Sequence, residues 1–77
     1  MAIEVFKTNV AIENDALKLT AVIFERFPHY QVNFDLGDCD RIMRVISPLG
    51  EIDVASLTRL ARKVDLTIMP LPDVVPV

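Results

Sequence analysis

Residues 30–46 read YQVNFDLGDCDRIMRVI, and this stretch decides the fold. Four hydrophobic side chains alternate with polar ones over its first half: Tyr30, Val32, Phe34 and Leu36. Such alternation is typical of a strand with one buried and one solvated face. Residues 37–40 favour a turn and residues 41–46 return as a second strand, so the stretch predicts an antiparallel hairpin.

The return strand has hydrophobic residues at both odd and even positions, so the pattern alone leaves its facing ambiguous. We expect Met43 and Val45 to point into the core, which places Arg44 on the open face of the sheet. That face is expected to be solvated, with mixed charges and one aromatic ring. Its expected members are Glu4, Phe6, Gln31, Asn33, Asp35 and Arg44.

The rest of the chain predicts two helices and two further strands. Thr8 and Asn9 supply turn and capping groups before the first helix, and Asp53 is the expected N-cap of the second. Pro28 ends the first helix because it lacks an amide donor. The four expected elements are a strand at 3–7, a helix at 13–27, a helix that begins after Asp53 and a strand at 66–69.

These elements follow one another in the order β-α-β-β-α-β within 77 residues. This order predicts an α+β, ferredoxin-like sandwich with a four-stranded antiparallel sheet, two helices on one face and strand order 4-1-3-2. We expect a single domain over residues 1–71. Residues 72–77 form a tail with Pro72 and Pro76, expected either to fray or to pack on a neighbour.

The composition is that of an ordinary globular domain, with 52% hydrophobic and 25% charged residues. A net charge of -3 argues against a nucleic-acid partner, which would need a basic face. No hydrophobic run has the length of a membrane span, and Met1–Val5 does not resemble a signal peptide. Cys39 is the only cysteine, which favours a reducing compartment, so we expect a cytoplasmic protein with no membrane partner.

The layout resembles the heavy-metal-associated (HMA) domain of copper chaperones and metal-pumping ATPases. The resemblance covers residues 2–71 and depends on length, element order and strand pattern. It implies a loop after the first strand with the motif Met-x-Cys-x-x-Cys, whose two thiolates bind a soft metal. Here that stretch reads Lys7-Thr8-Asn9-Val10-Ala11-Ile12.

The loop of this chain departs from the family at the residues that carry the metal. With Thr8 aligned to the residue before the first cysteine, Asn9 and Ile12 occupy the two thiolate positions. Neither an amide nor an isoleucine can replace a thiolate on a soft metal. We therefore expect a degenerate ligand loop at Thr8, Asn9, Val10 and Ile12, no bound cofactor, and no metal handling by this loop.

One other cluster has ligand-capable side chains, His29 with Asp38, Cys39 and Asp40. It suggests either a weak divalent site or ordinary turn chemistry, in which Asp oxygens bond nearby amides. We expect no catalytic Cys39–His29 pair, because the two residues lie at opposite ends of an extended strand. No other catalytic residues are evident, so we expect no enzyme activity.

A second hydrophobic stripe runs along the first helix through Leu17, Ala21 and Phe24. It either packs against the second helix or forms a self-association or partner surface, because the hydrophobic arc is wider than one sheet contact requires. We expect a non-enzymatic interaction module, HMA-like and homodimeric. The alternative is a metal transport or chaperone protein with Asp, Cys and His ligands.

Overall fold

A computed structural model describes residues 1–37 and 39–71. The predicted tail at 72–77 lies outside the described residues. The elements are β1 (Ala2–Thr8), α1 (Glu13–Arg26), β2 (Gln31–Asp35), β3 (Ile42–Ser47), α2 (Val54–Lys63) and β4 (Ile68–Pro70). One antiparallel sheet has the strand order β2-β3-β1-β4, which confirms the expected 4-1-3-2 order and the α+β, ferredoxin-like class.

The facing of β3 agrees with the prediction. Met43 and Val45 are fully buried among the residues of both helices, whereas Arg44 is exposed directly opposite Asn33 of β2. Burial of Met43 and Val45 selects this facing, because a one-residue slip would move Arg44 into the core.

The facing of β1 is the reverse of the prediction, and Phe6 does not lie on the open face. Phe6 is fully buried, whereas Ile3 is 53% exposed. In the β1–β3 ladder, Phe6 lies opposite Met43 and Ile3 opposite Ile46. Directly opposite residues point to the same face of a sheet, so the inward facing of Met43 carries Phe6 into the core. Glu4 has the same parity as Phe6 and also leaves the open face.

Helix α1 buries Ala16, Leu19 and Ile23, as its periodicity predicts. It begins after Ile12, whose side chain makes no capping hydrogen bond, so the expected capping by residues 8–9 is wrong. The first turn carries two acidic residues and the last turn carries Arg26, a charge distribution that suits the helix dipole.

Asp53 caps α2, as predicted. The Ser56 amide donates to Oδ1 of Asp53 at 3.0 Å, and the Ser56 hydroxyl donates to Oδ2 at 2.8 Å. These two bonds, the amide bond first, hold the pKa of the Asp53 carboxyl below its ordinary value. The Tyr30 hydroxyl accepts from the Asp53 amide at 3.0 Å, which links the start of β2 to the start of α2.

The end of α2 explains why β4 begins later than the expected 66–69. Asp65 adopts a φ of 60°, and the Leu66 amide donates back to the Ala61 carbonyl at 2.9 Å. This pattern is a Schellman motif, in which a left-handed residue ends the helix. Leu66 therefore belongs to the helix terminus, and β4 extends to Pro70, which lies opposite Phe6.

Candidate interaction surface

The β1–α1 connection, where the HMA resemblance would place a metal, is built as a structural turn. Thr8 is buried, and its Oγ1 donates to the Arg41 carbonyl at 2.7 Å and accepts from the Val10 amide at 3.1 Å. Asn9 is exposed, and its Oδ1 accepts from the Thr67 amide at 2.9 Å. Both polar side chains therefore hold neighbouring backbone in place.

The two hydrophobic members of this connection have opposite environments. Val10 is fully buried in the core, so it does not form a ligand-facing surface. Ile12 is 56% exposed at the start of α1. The expected degenerate ligand loop thus divides into a core residue, two backbone-bonding residues and one exposed hydrophobic residue.

The β2–β3 turn lies against this connection, a proximity that the linear sequence does not reveal. The Thr8 amide donates to the Asp40 carbonyl at 3.3 Å. Nζ of Lys7 lies 3.7 Å from Oδ1 of Asp40, and both side chains are partly exposed, so this ion pair contributes little to stability. Cys39 is exposed in the same turn.

His29 is not brought together with Cys39 and Asp40. His29 is exposed at the start of β2, where its ring meets Tyr30 edge-on at 4.8 Å. The five residues of β2 separate it from the turn that holds Cys39 and Asp40, a span of about 17 Å at ~3.3 Å per residue. Asp38 lies outside the described residues. Over residues 1–37 and 39–71, no three His, Cys, Asp or Glu side chains form a group that could hold a metal ion.

The stripe on α1 remains open to solvent. Leu17 is 61% exposed and Phe24 is 59% exposed, and Ala21 between them is exposed as well. At ~100° per residue, Leu17 and Phe24 lie about 20° apart around the helix, whereas Val22 lies on the opposite side from Phe24. A cleft between the helices is lined by Val22 and Leu60, so the stripe faces away from α2.

A shallow groove connects the stripe to the edge of the sheet. Leu17 and Thr20 of α1 line it together with Phe34 and Leu36, which are half-buried. The groove therefore runs between α1 and β2, on the side of the domain where the sheet ends. The stripe, this groove and the outer side of β2 together form one continuous surface.

The two edges of the sheet differ in their protection against pairing. β4 is three residues long and contains Pro70, which has no amide to donate. β2 is five residues long, pairs with β3 without a bulge, and carries one charge, Asp35 at its end, with neither Lys nor Pro. Natural sheets commonly protect an edge with such residues, so β2 is the edge that is open to another strand.

The open face of the sheet has a hydrophobic component that sequence reasoning missed. Ile3 and Met69 are 53% and 65% exposed, and Val5 and Ile46 are half-buried on the same face. The signal was present in β3, where hydrophobic residues occupy both parities. A strand of that kind carries hydrophobic side chains to both faces of the sheet.

No helix among the described residues is long and hydrophobic enough to cross a membrane. Comparison of the chain with protein-family models, with curated proteins and with solved structures gives no match.

Proposed function

We propose that this chain is a non-enzymatic protein-interaction domain that forms a homodimer through the α1 stripe of Leu17, Ala21 and Phe24. One observation carries the proposal: two large hydrophobic side chains one turn either side of Ala21 are more than half exposed and face away from α2. Adjacent exposed hydrophobic residues of this kind mark interaction sites more often than isolated ones do.

The size of the domain supports self-association. A chain of 77 residues buries only a modest fraction of its surface, so burying further hydrophobic area against a second copy adds useful stability. Each fully buried Leu or Phe side chain contributes about 1.5–3 kcal/mol relative to an exposed one. Ala21, at the centre of the stripe, is small enough to let two helices approach closely.

We also propose that the domain is HMA-like in descent and holds no soft metal at its first loop. The support is the chemistry of the connection between β1 and α1, where Thr8 and Asn9 bond backbone groups and Val10 fills the core. None of these side chains offers the thiolate that a soft metal requires.

Phe24→Asp is expected to convert the dimer to a monomer. An aspartate on the stripe would have to be desolvated in the contact, and a twofold interface would carry that cost twice. Sedimentation velocity over a range of concentrations measures the change, and circular dichroism verifies that the domain stays folded.

Ala55→Asp is the matched control, because it adds the same charge at an exposed position on α2. It is expected to leave the sedimentation profile unchanged. A Phe24→Asp profile identical to that of the unmodified chain would remove the stripe from the association surface.

A second candidate function is the metal carrier with Asp, Cys and His ligands, reduced by the position of His29 to the Cys39 and Asp40 side chains of the β2–β3 turn. The contact between the β2–β3 turn and the β1–α1 connection favours it, because Cys39 and Asp40 then lie at the end of the domain where an HMA loop would bind metal. Equilibrium dialysis with copper(I), zinc and nickel, compared with Cys39→Ser, tests it. Binding weaker than millimolar, or binding unaffected by the substitution, would eliminate this candidate.

A further inference from the structure

We infer that the second copy joins edge to edge, with β2 pairing antiparallel to β2 around Asn33, to give one continuous eight-stranded sheet. This inference rests on the proposed self-association and specifies its geometry. It places the two α1 helices side by side on one face of the joined sheet, with Leu17 of one copy against Phe24 of the other.

The choice of edge follows from the two ends of the sheet. β2 is an edge strand with alternating side chains and no edge protection. The groove lined by Phe34 and Leu17 connects it to the stripe. β4 lies three strands away, is short and carries Pro70. Pairing at β2 therefore buries the stripe and satisfies edge amides and carbonyls in a single contact, which pairing at β4 cannot do.

The sequence of β2 is complementary to itself in the register centred on Asn33. On the open face, Gln31 lies opposite Asp35 of the second copy, so an amide donor meets a carboxylate acceptor. On the helix face, Val32 lies opposite Phe34 of the second copy, a hydrophobic pair. All five residues of β2 find a partner. A shift that placed Asp35 opposite Asp35 would instead set two like charges against each other.

The midpoint of the α1 stripe lies beside the part of β2 that contains Asn33. The midpoint between Leu17 and Phe24 falls between Thr20 and Ala21, and Thr20 lines the groove beside Phe34, the neighbour of Asn33. One twofold axis can therefore pass near Asn33 of β2 and Ala21 of α1. The paired helices run in opposite directions, so their dipoles are antiparallel, and the N-terminal end of each lies beside the C-terminal end of the other.

A cysteine at the centre of the pairing tests the register. In a Cys39→Ser background, Asn33→Cys places two sulfur-bearing residues opposite each other at a Cα separation of about 4.5–5.5 Å, which suits a disulfide. Gln31→Cys in the same background is the matched control, on the same exposed face of β2. Its two copies lie about 13 Å apart along the strand, beyond the reach of a disulfide.

After mild oxidation, we expect a disulfide-linked dimer as the main product of Asn33→Cys, and a monomer on a non-reducing gel for Gln31→Cys. Adding Phe24→Asp to the Asn33→Cys chain should abolish the cross-link. Equal cross-linking of both cysteines, or cross-linking of Gln31→Cys alone, would overturn the register.

Sedimentation of the unmodified chain separates this inference from the proposed function. A dimer in solution whose Asn33→Cys variant does not cross-link would overturn edge pairing and leave self-association standing. A monomer at all concentrations would overturn both, and would mean that the β2 edge is free or is covered by a different protein.

Discussion

Phe6→Ala is expected to lower the free energy of unfolding by about 3–5 kcal/mol. Phe6 is fully buried opposite Met43, so removing its ring takes hydrophobic surface out of the core and leaves a cavity. A domain of this size has a total stability of roughly 4–12 kcal/mol, at about 0.05–0.15 kcal/mol per residue. The expected loss therefore equals the whole stability at the low end of that range, where the variant would be unfolded.

Ile3→Ala is the matched control on the same strand. Ile3 is 53% exposed on the opposite face, so its truncation is expected to cost less than about 1 kcal/mol. Urea denaturation followed by circular dichroism measures both, and Phe6→Leu, expected to cost less than Phe6→Ala because it leaves a smaller cavity, supplies a variant that keeps more of the core. A larger loss for Ile3→Ala than for the Phe6 variants would reverse the assignment of faces in β1.

Val10→Ala is expected to cost about 2–3 kcal/mol, because it removes two methyl groups from a fully buried site and leaves a cavity. This is a large effect for a loop residue, and it follows from the use of this connection as part of the core. A loop kept for ligand contact would tolerate the same truncation at little cost to stability.

Ile12→Ala provides the comparison within the same connection. Its side chain is 56% exposed, and the expected loss is about 0.5 kcal/mol. The free energy of unfolding from urea titration decides between the two roles of the loop. Equal small losses at Val10 and Ile12 would show that Val10 is not packed in the core, and would reopen the loop as a binding surface.

The order of elements was predictable because hydrophobic periodicity, turn residues and the Asp53 cap all indicate the same arrangement. The facing of β1 was not. Its residues at 3–7 carry hydrophobic side chains at both parities, and only the ladder with β3, which places Phe6 opposite Met43, selects one face. Such a choice depends on contacts between residues almost 40 positions apart, which no local pattern contains.

The candidate surface was predictable in part. The wide hydrophobic arc of α1 identified Leu17, Ala21 and Phe24. Whether α2 covers these residues depends on the position of α2, which packs beside Val22 and leaves them exposed. The groove with Phe34 and the unprotected β2 edge appear only once the strand order is known. The hydrophobic part of the open sheet face was missed although the sequence of β3 signals it, because hydrophobic residues at both parities of β3 were treated only as an ambiguity of facing.

Tyr30 gives this molecule a built-in optical probe. It is the only tyrosine in a chain without tryptophan, and its ring stacks on Phe27 at a centroid distance of 4.5 Å. The Tyr30 hydroxyl also accepts a hydrogen bond from the Asp53 amide. The ultraviolet absorbance and emission of Tyr30 therefore depend on whether the end of α1, the start of β2 and the start of α2 are packed together. Unfolding at that three-way junction is therefore visible spectroscopically without any added label.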